Sequence, residues 1–196
     1  MRRINRVIIL IVLIGTVAVS GVCAKDAGRT ESVIVSPLFS FQRIFYSVDN
    51  YTNRNGFGLG AGLSYDHFLN SKTTLGLASS YEFFVYRDWF NYNDFKIQAT
   101  AKRQIAHKSN DKAETRLYAT AGAGTDLVLR NDGDFGVYPL FNLGLETVIK
   151  GTRDTDITLR TIVGITIQNG SVVLQANAGA GLRFGFGKPV TGEKDK

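Results

Sequence analysis

At 196 residues, 44% hydrophobic and 20% charged, the chain is long enough for one domain and too apolar to be disordered. Its formal charge of +6 reflects 23 lysines and arginines against 17 acidic residues, with no basic cluster beside a recognition motif, so no nucleic-acid partner is expected. Glycine, at 21 residues, far outnumbers the 3 prolines, and without a collagen period this points to turns, tight packing and sheet curvature.

Arg2, Arg3 and Arg6 precede an apolar run from Val7 to Val19, and Val22-Cys23-Ala24 closes it ahead of Lys25. The layout predicts a secretory signal peptide over residues 1–24, because the apolar run is short for a spanning helix. An uncleaved anchor and lipid attachment at Cys23 are the competing readings, although Val22 stands where attachment asks for a small residue. Cleavage after Ala24 removes the one cysteine and three arginines, leaving no disulfide framework and a charge of +3 in place of +6. Beyond the signal no stretch has the 18 or more uncharged apolar residues of a membrane helix. In a membrane this chain has to cross as strands, and strands in lipid have to close into a barrel.

Residues 25–31 read as a short polar leader. The first strand is expected from Ser32 to Ser47, with Val33, Val35, Phe39 and Phe41 on one parity and Ile44 and Tyr46 on the other, a change that predicts a bulge near Arg43. Pro37 is expected near a strand end or an irregularity. After the polar stretch Asp49 to Asn55, a second strand over Gly56 to Phe68 sets Phe57, Leu59, Ala61, Leu63 and Tyr65 against Gly58, Gly60, Gly62, Ser64 and Asp66. Asn70-Ser71-Lys72 is a tight turn. The third strand, Thr74 to Arg87, groups Leu75, Leu77, Ser79, Tyr81, Phe83 and Val85, with Glu82 opposite. Asp88 to Asn93 carries Trp89, Phe90 and Tyr92.

The fourth strand, Asp94 to His107, places Phe95, Ile97, Ala99, Ala101 and Ile105 against Lys96, Gln98, Thr100, Lys102 and Gln104, with Arg103 interrupting the apolar side. Lys108 to Lys112 turns the chain into a fifth strand over Ala113 to Leu129. Its Leu117, Ala119, Ala121, Ala123, Leu127 and Leu129 oppose Arg116, Tyr118, Thr120, Gly122, Gly124 and Asp126. Asn131-Asp132-Gly133-Asp134 has turn chemistry. The sixth strand, Phe135 to Ile149, has Val137, Phe141, Leu143, Leu145 and Ile149 opposite Asn142, Gly144 and Glu146, and Pro139 near one end. The seventh, Thr155 to Gln168, follows the turn at Gly151 to Asp154. Asn169-Gly170 is a favoured hairpin turn leading into Val172 to Phe186.

That last stretch alternates without interruption, Leu174, Leu182 and Phe184 on one parity and Gln175, Asn177 and Arg183 on the other. Such length exceeds an average soluble strand and suits a tilted strand crossing a bilayer. The whole pattern predicts an all-β, eight-stranded antiparallel up-and-down transmembrane barrel over residues 32–186, with a polar tail at 187–196. An even strand count returns both termini to one side.

The glycine-rich parity would make a poor solvent face, whereas in a narrow barrel its glycines leave room for long neighbours. This places Glu82, Lys102, Arg116, Glu146, Arg160 and Arg183 in a lumenal charge network that plugs the barrel. The glutamates are expected to pair with some of these cations, since unpaired buried charge is costly. Tyr46, Tyr51, Trp89, Phe90 and Tyr92 near one end, and Phe184 and Phe186 near the other, are placed where interfacial girdles lie. The alternative is a soluble periplasmic or secreted lipocalin-like barrel binding a small hydrophobic ligand, which requires the apolar parity to face inward.

Catalytic signals are sparse. His67 and His107 fall near strand ends on one side of the sheet, and even with Asp66 they do not make a metal-ligand pattern. No glycine cluster opens a helix as a phosphate loop would. No cofactor or metal is expected. His107-Lys108-Ser109-Asn110 resembles the His-x-Ser-Asn segment of the outer-membrane lipid A deacylases. That resemblance implies a histidine activating Ser109 beside a carboxylate, for which Glu114 is available, and makes His107, Ser109 and Glu114 candidate catalytic residues. The four-residue match falls at a turn on the terminal side, whereas that family's site lies in the wall near the outer surface.

The whole mature chain resembles the small eight-stranded outer-membrane barrels, the group that includes the OmpA transmembrane domain, OmpX and OmpW. The glycine-rich start and aromatic finish of Ala178 to Phe186 are similar to their final strand, followed here by a ten-residue polar tail in place of a terminal phenylalanine. The resemblance implies a bacterial outer-membrane location with both termini in the periplasm. Its implied partners are outer-membrane lipids and the outer-membrane insertion machinery, with a small hydrophobic molecule or an external protein as further partners. The implied roles are structural, surface interaction or uptake of small apolar molecules.

Overall fold

The computed structural model describes residues 29–45, 54–86, 91–110, 113–130, 133, 135–152, 155–168 and 171–189. They form β1 (Arg29–Phe45), β2 (Arg54–Phe68), β3 (Thr73–Tyr86), β4 (Asn91–Asn110), β5 (Ala113–Arg130), β6 (Phe135–Thr152), β7 (Thr155–Gln168) and β8 (Ser171–Pro189). Each strand pairs antiparallel with the next, and β1 pairs with β8, so the sheet is a closed barrel with no free edge strand. The first 24 residues lie outside the described part. β1 begins at Arg29, inside the stretch read as a leader, and β8 continues to Pro189, past the expected end of the barrel.

Turn chemistry closes the hairpins. The Asn70 side-chain oxygen accepts from the backbone N–H of both Lys72 and Thr73, each at 2.9 Å, which holds the β2–β3 turn. Gly133 in the β5–β6 connection has φ near 95°, a conformation in which a Cβ would be strained. The β4–β5 hairpin is longer than expected: β4 runs to Asn110 and β5 resumes at Ala113, so Lys108 to Asn110 belong to the ladder.

The alternating parities resolve into two surfaces. Phe39, Phe57, Phe141 and Leu143 point outward, the last 68% exposed, while Ser40, Gln42, Glu82, Lys102 and Glu146 are buried inside. This orientation excludes the ligand-binding soluble barrel, which needed the apolar parity within. The bulge expected near Arg43 is absent: β1 and β2 keep one register from Glu31 opposite His67 to Ile44 opposite Arg54. Ile44 simply faces inward, where it joins an apolar cluster, and Arg43 faces outward with its guanidinium 5.1 Å from the Phe45 ring. The register shifts lie elsewhere, between Arg29 and Glu31 against β8, between Ile149 and Thr152 against β7, and within β4. Gln104 is opposite Tyr118 and Ala106 is opposite Leu117, so Ile105 is an extra residue. Pro139 stands where the β6–β7 ladder stops, since pairing with β7 begins at Leu140.

Candidate functional site in the barrel lumen

The inward side chains form layers along the barrel axis. Nearest the end that carries the chain termini, Arg183 donates to the Ser32 hydroxyl at 3.2 Å and lies 4.8 Å from the centre of the Phe68 ring. Deeper in, Lys102 on β4 reaches Asp66 on β2 at 2.7 Å and Glu146 on β6 at 2.9 Å. Arg160 on β7 donates to Glu146 at 3.0 Å and to Ser64 at 3.1 Å. Two carboxylates and two cations from four strands thus neutralise one another across the lumen, the condition under which buried charge is tolerated. The structure brings Lys102, Glu146 and Arg160 of the expected network together.

The next layer is amide-rich. Asn142 donates to Gln98, and a cavity of about 40 Å³ is lined by Lys96, Gln98, Asn142, Arg160 and Asn177 among others. Above it Glu82 is fully buried and takes hydrogen bonds from Ser40, from Gln175 at 2.8 Å and from Lys96 at 2.7 Å. Lys96 also lies 3.4 Å from Asp94 and stands opposite Asp126 in the β4–β5 ladder. Asp94 accepts from Gln42 at 2.8 Å and Asp126 from Thr166 at 3.3 Å. Glu82 therefore does not meet any cation of the expected network. Its partner is Lys96, and Asp66, Asp94 and Asp126 are further charges the sequence reading left out. Their parity marked them as inward, or in the case of Asp94 as a strand start, but nothing in the sequence gives the pairing across the barrel.

Toward the end away from the termini lies an apolar cluster. Ile44, Phe84, Tyr86, Val128 and Val173 are buried together, with Tyr138 packed against them. Tyr86 donates to the Gln42 amide oxygen at 2.7 Å, and the Phe84 ring faces the Lys96 ammonium at 5.5 Å.

Arg116 departs from the expected arrangement. It sits at the mouth on the terminal side, where its Nε donates to Glu114 at 2.7 Å, and Lys150 meets the other Glu114 oxygen at 3.2 Å. The extra residue at Ile105 turns His107 and Ser109 to the lumenal side, opposite Arg116 and Glu114, and His107 Nε2 lies 3.4 Å from Glu114. Burial raises the Glu114 pKa, but hydrogen bonds and charge from Arg116 and Lys150 outweigh this and hold it below the ordinary value. The three candidate catalytic residues are thus neighbours, yet the carboxylate that would orient the histidine is shared by two cations. His67 keeps its own glutamate, Glu31, at 3.9 Å. Among the described residues no group of three or more histidine, cysteine, aspartate or glutamate side chains is placed to hold a metal ion.

Of the expected girdle, Phe184 and Phe186 lie on the outward face near the terminal end, and the Phe186 ring is 6.1 Å from that of Tyr65. Tyr46, Tyr51, Trp89 and Phe90 fall outside the described residues, and Tyr92 is placed only by its backbone, opposite Arg130. Further outward aromatics are Phe39, Phe41 and Phe57, the last two meeting edge to face at 5.4 Å.

Neither a family model nor a curated protein sequence matches the chain. Among solved structures, the neisserial surface protein A, NspA, is similar with a TM-score of 0.53 and 16% identity over 82% of this chain and 100% of that one. Ail, the attachment invasion locus protein of Yersinia pestis, has a TM-score of 0.45 and 15% identity over 80% and 99%. The N-terminal β-barrel domain of Pseudomonas aeruginosa OprF has a TM-score of 0.43 and 18% identity over 81% and 100%. The fold is that of the small eight-stranded outer-membrane barrels.

Proposed function

We propose that this chain is a small integral outer-membrane protein, inserted with both termini in the periplasm, whose lumen is closed to diffusion and whose role is structural or one of surface interaction. The observation that carries the reading is the segregation of the two wall faces. Leu, Ile, Val and Phe side chains stand exposed on the outside of seven of the eight strands, with exposed alanines on β5, whereas the inward face carries charged residues, of which Lys96, Lys102 and Arg160 make ion pairs. A water-soluble protein has no use for an apolar belt on every strand, and a bilayer requires one. An eight-stranded barrel is only wide enough for side chains to fill, and here ion pairs, amides and an apolar cluster occupy successive levels. Outer-membrane lipids are the partner of the outer face, and the segment of β8 from Ala178 to Phe186 is what the insertion machinery would read.

Fractionation of the full chain tests the location: it is expected in the outer membrane, soluble only with detergent, and with heat-modifiable migration on gels. Recovery in the soluble fraction without detergent would refute it. Planar-bilayer recordings test the closed lumen, which would be refuted by large, stable, water-filled channels.

A further inference from the structure

We propose that the apolar cluster at the end away from the termini is the seal of the lumen, and that the acidic layer beneath it selects cations whenever that seal is opened. The proposal rests on the closed-lumen reading and says which level does the closing.

The cluster has the composition and placement of a seal. Ile44 comes from β1, Phe84 and Tyr86 from β3, Val128 from β5, Tyr138 from β6 and Val173 from β8, so five strands contribute around the circumference. Phe84 is fully buried, and its ring lies over Gly58, where a Cβ would stand 2.6 Å from it. A constriction lined by such side chains excludes ions because it does not hold water. The levels nearer the termini differ in kind. Asp66 Oδ1, Thr74 Oγ1, Thr100 Oγ1 and Thr120 Oγ1 are buried polar atoms without a protein partner, and such atoms are ordinarily satisfied by water. The cavity lined by Gln98, Asn142, Asn177 and Lys96 lies on the same side of the cluster, and the Lys96 ammonium is 5.5 Å from the Phe84 ring.

At that end the charges are unequal. Glu82, Asp94 and Asp126 face one ammonium, Lys96, among the described residues. Asp94 and Asp126 are buried almost completely, and each has one carboxylate oxygen, Oδ1, with no partner. The level of Lys102, by contrast, holds Asp66 and Glu146 against Lys102 and Arg160. A cation entering beside Lys96 would find free carboxylate oxygens, while an anion would meet excess negative charge; rings of acidic side chains select cations in this way.

The test uses the full chain in planar bilayers, with heat-modifiable migration confirming a folded barrel. Two variants open the seal by different means. Phe84→Ala removes bulk, and the Val128→Thr/Val173→Thr double variant keeps the volume but admits water, so the proposal remains testable if the first does not fold. Wild type is expected to be silent and both folded variants to conduct. In a potassium chloride gradient their reversal potential should show cation preference, and adding Asp94→Asn with Asp126→Asn should abolish that preference. Folded variants that stay silent would overturn the seal. Conduction without cation preference, or with a preference that survives the asparagine substitutions, would overturn the selective layer. Channels in the wild type would overturn both the seal and the closed-lumen reading, whereas silent variants would leave that reading standing.

Discussion

The ring of Phe84 on β3 lies across the backbone of Gly58 on β2, so close that a Cβ there would stand 2.6 Å from the ring edge. The glycines of β2 are thus not interchangeable. At Gly60 a Cβ would meet the Tyr81 carbonyl oxygen at 2.1 Å, and backbone cannot step aside as a side chain can. At Gly62 the nearest atom is a Leu38 methyl at 3.2 Å. Alanine is expected to be most damaging at Gly60, intermediate at Gly58 at about 1–3 kcal/mol, and mildest at Gly62. Urea unfolding in lipid vesicles gives the order, and a Gly62 variant less stable than the Gly60 variant would contradict it.

Lys102 holds two carboxylates from strands on different sides of the lumen. Lys102→Met leaves Asp66 without its cation and Glu146 with Arg160 alone, at an expected cost of about 3–5 kcal/mol. Conversion of Asp66 to Asn in the same background should restore part of the loss, because Asp66 is the charge left without a partner while Glu146 keeps Arg160. Equilibrium unfolding of the two variants decides this; a second substitution that deepens the loss would argue against charge pairing as the cause.

Leu143 is outward and near the middle of β6. Leu143→Arg should destabilise the membrane-inserted barrel by about 2–4 kcal/mol, the range for a cation near the bilayer midplane. A change near zero in vesicles would mean that this face does not meet lipid.

Glu114 lies at the mouth, before the apolar part of β5, and its pKa is held below the ordinary 4.5 by Arg116 and Lys150. A carboxylate depressed in the folded state stabilises the protein above its unfolded pKa, and that contribution is lost as pH falls through the folded pKa. The urea midpoint should therefore decline on acidification below the ordinary glutamate range, and Glu114→Gln should flatten that segment of the profile. An identical slope in the variant would assign the acid sensitivity to other groups.

Period-two alternation, maintained over eight stretches with turn residues between them, is a local property, and from it the strand number, the antiparallel order and the outward face were legible. It is legible because side chains on a strand have no choice but to alternate, and because glycines beside long polar residues make sense only in a narrow interior. The same local rule misplaced a bulge at Arg43. Ile44 broke the expected polar parity, and only the closed barrel shows that an apolar side chain is wanted inside at that level, among Phe84, Tyr86, Val128 and Val173. The irregularity in β4, at Ile105, left little trace in hydropathy, because the run from His107 to Asn110 is polar on either face.

The charge partners lay beyond sequence reasoning for a different reason. Lys102 and Glu146 are 44 residues apart, and Asn177 reaches Glu82 across 95. Such pairs depend on the tilt and stagger with which the sheet closes, which belong to the barrel as a whole. The sequence by itself determined that this chain makes an eight-stranded barrel with an apolar exterior, since alternation is set residue by residue. Tertiary structure alone decided which inward side chains share a level, and with it that Lys96 answers Glu82, that Arg116 stays at the mouth, and that Ile44, Phe84, Tyr86, Val128 and Val173 gather in one apolar cluster.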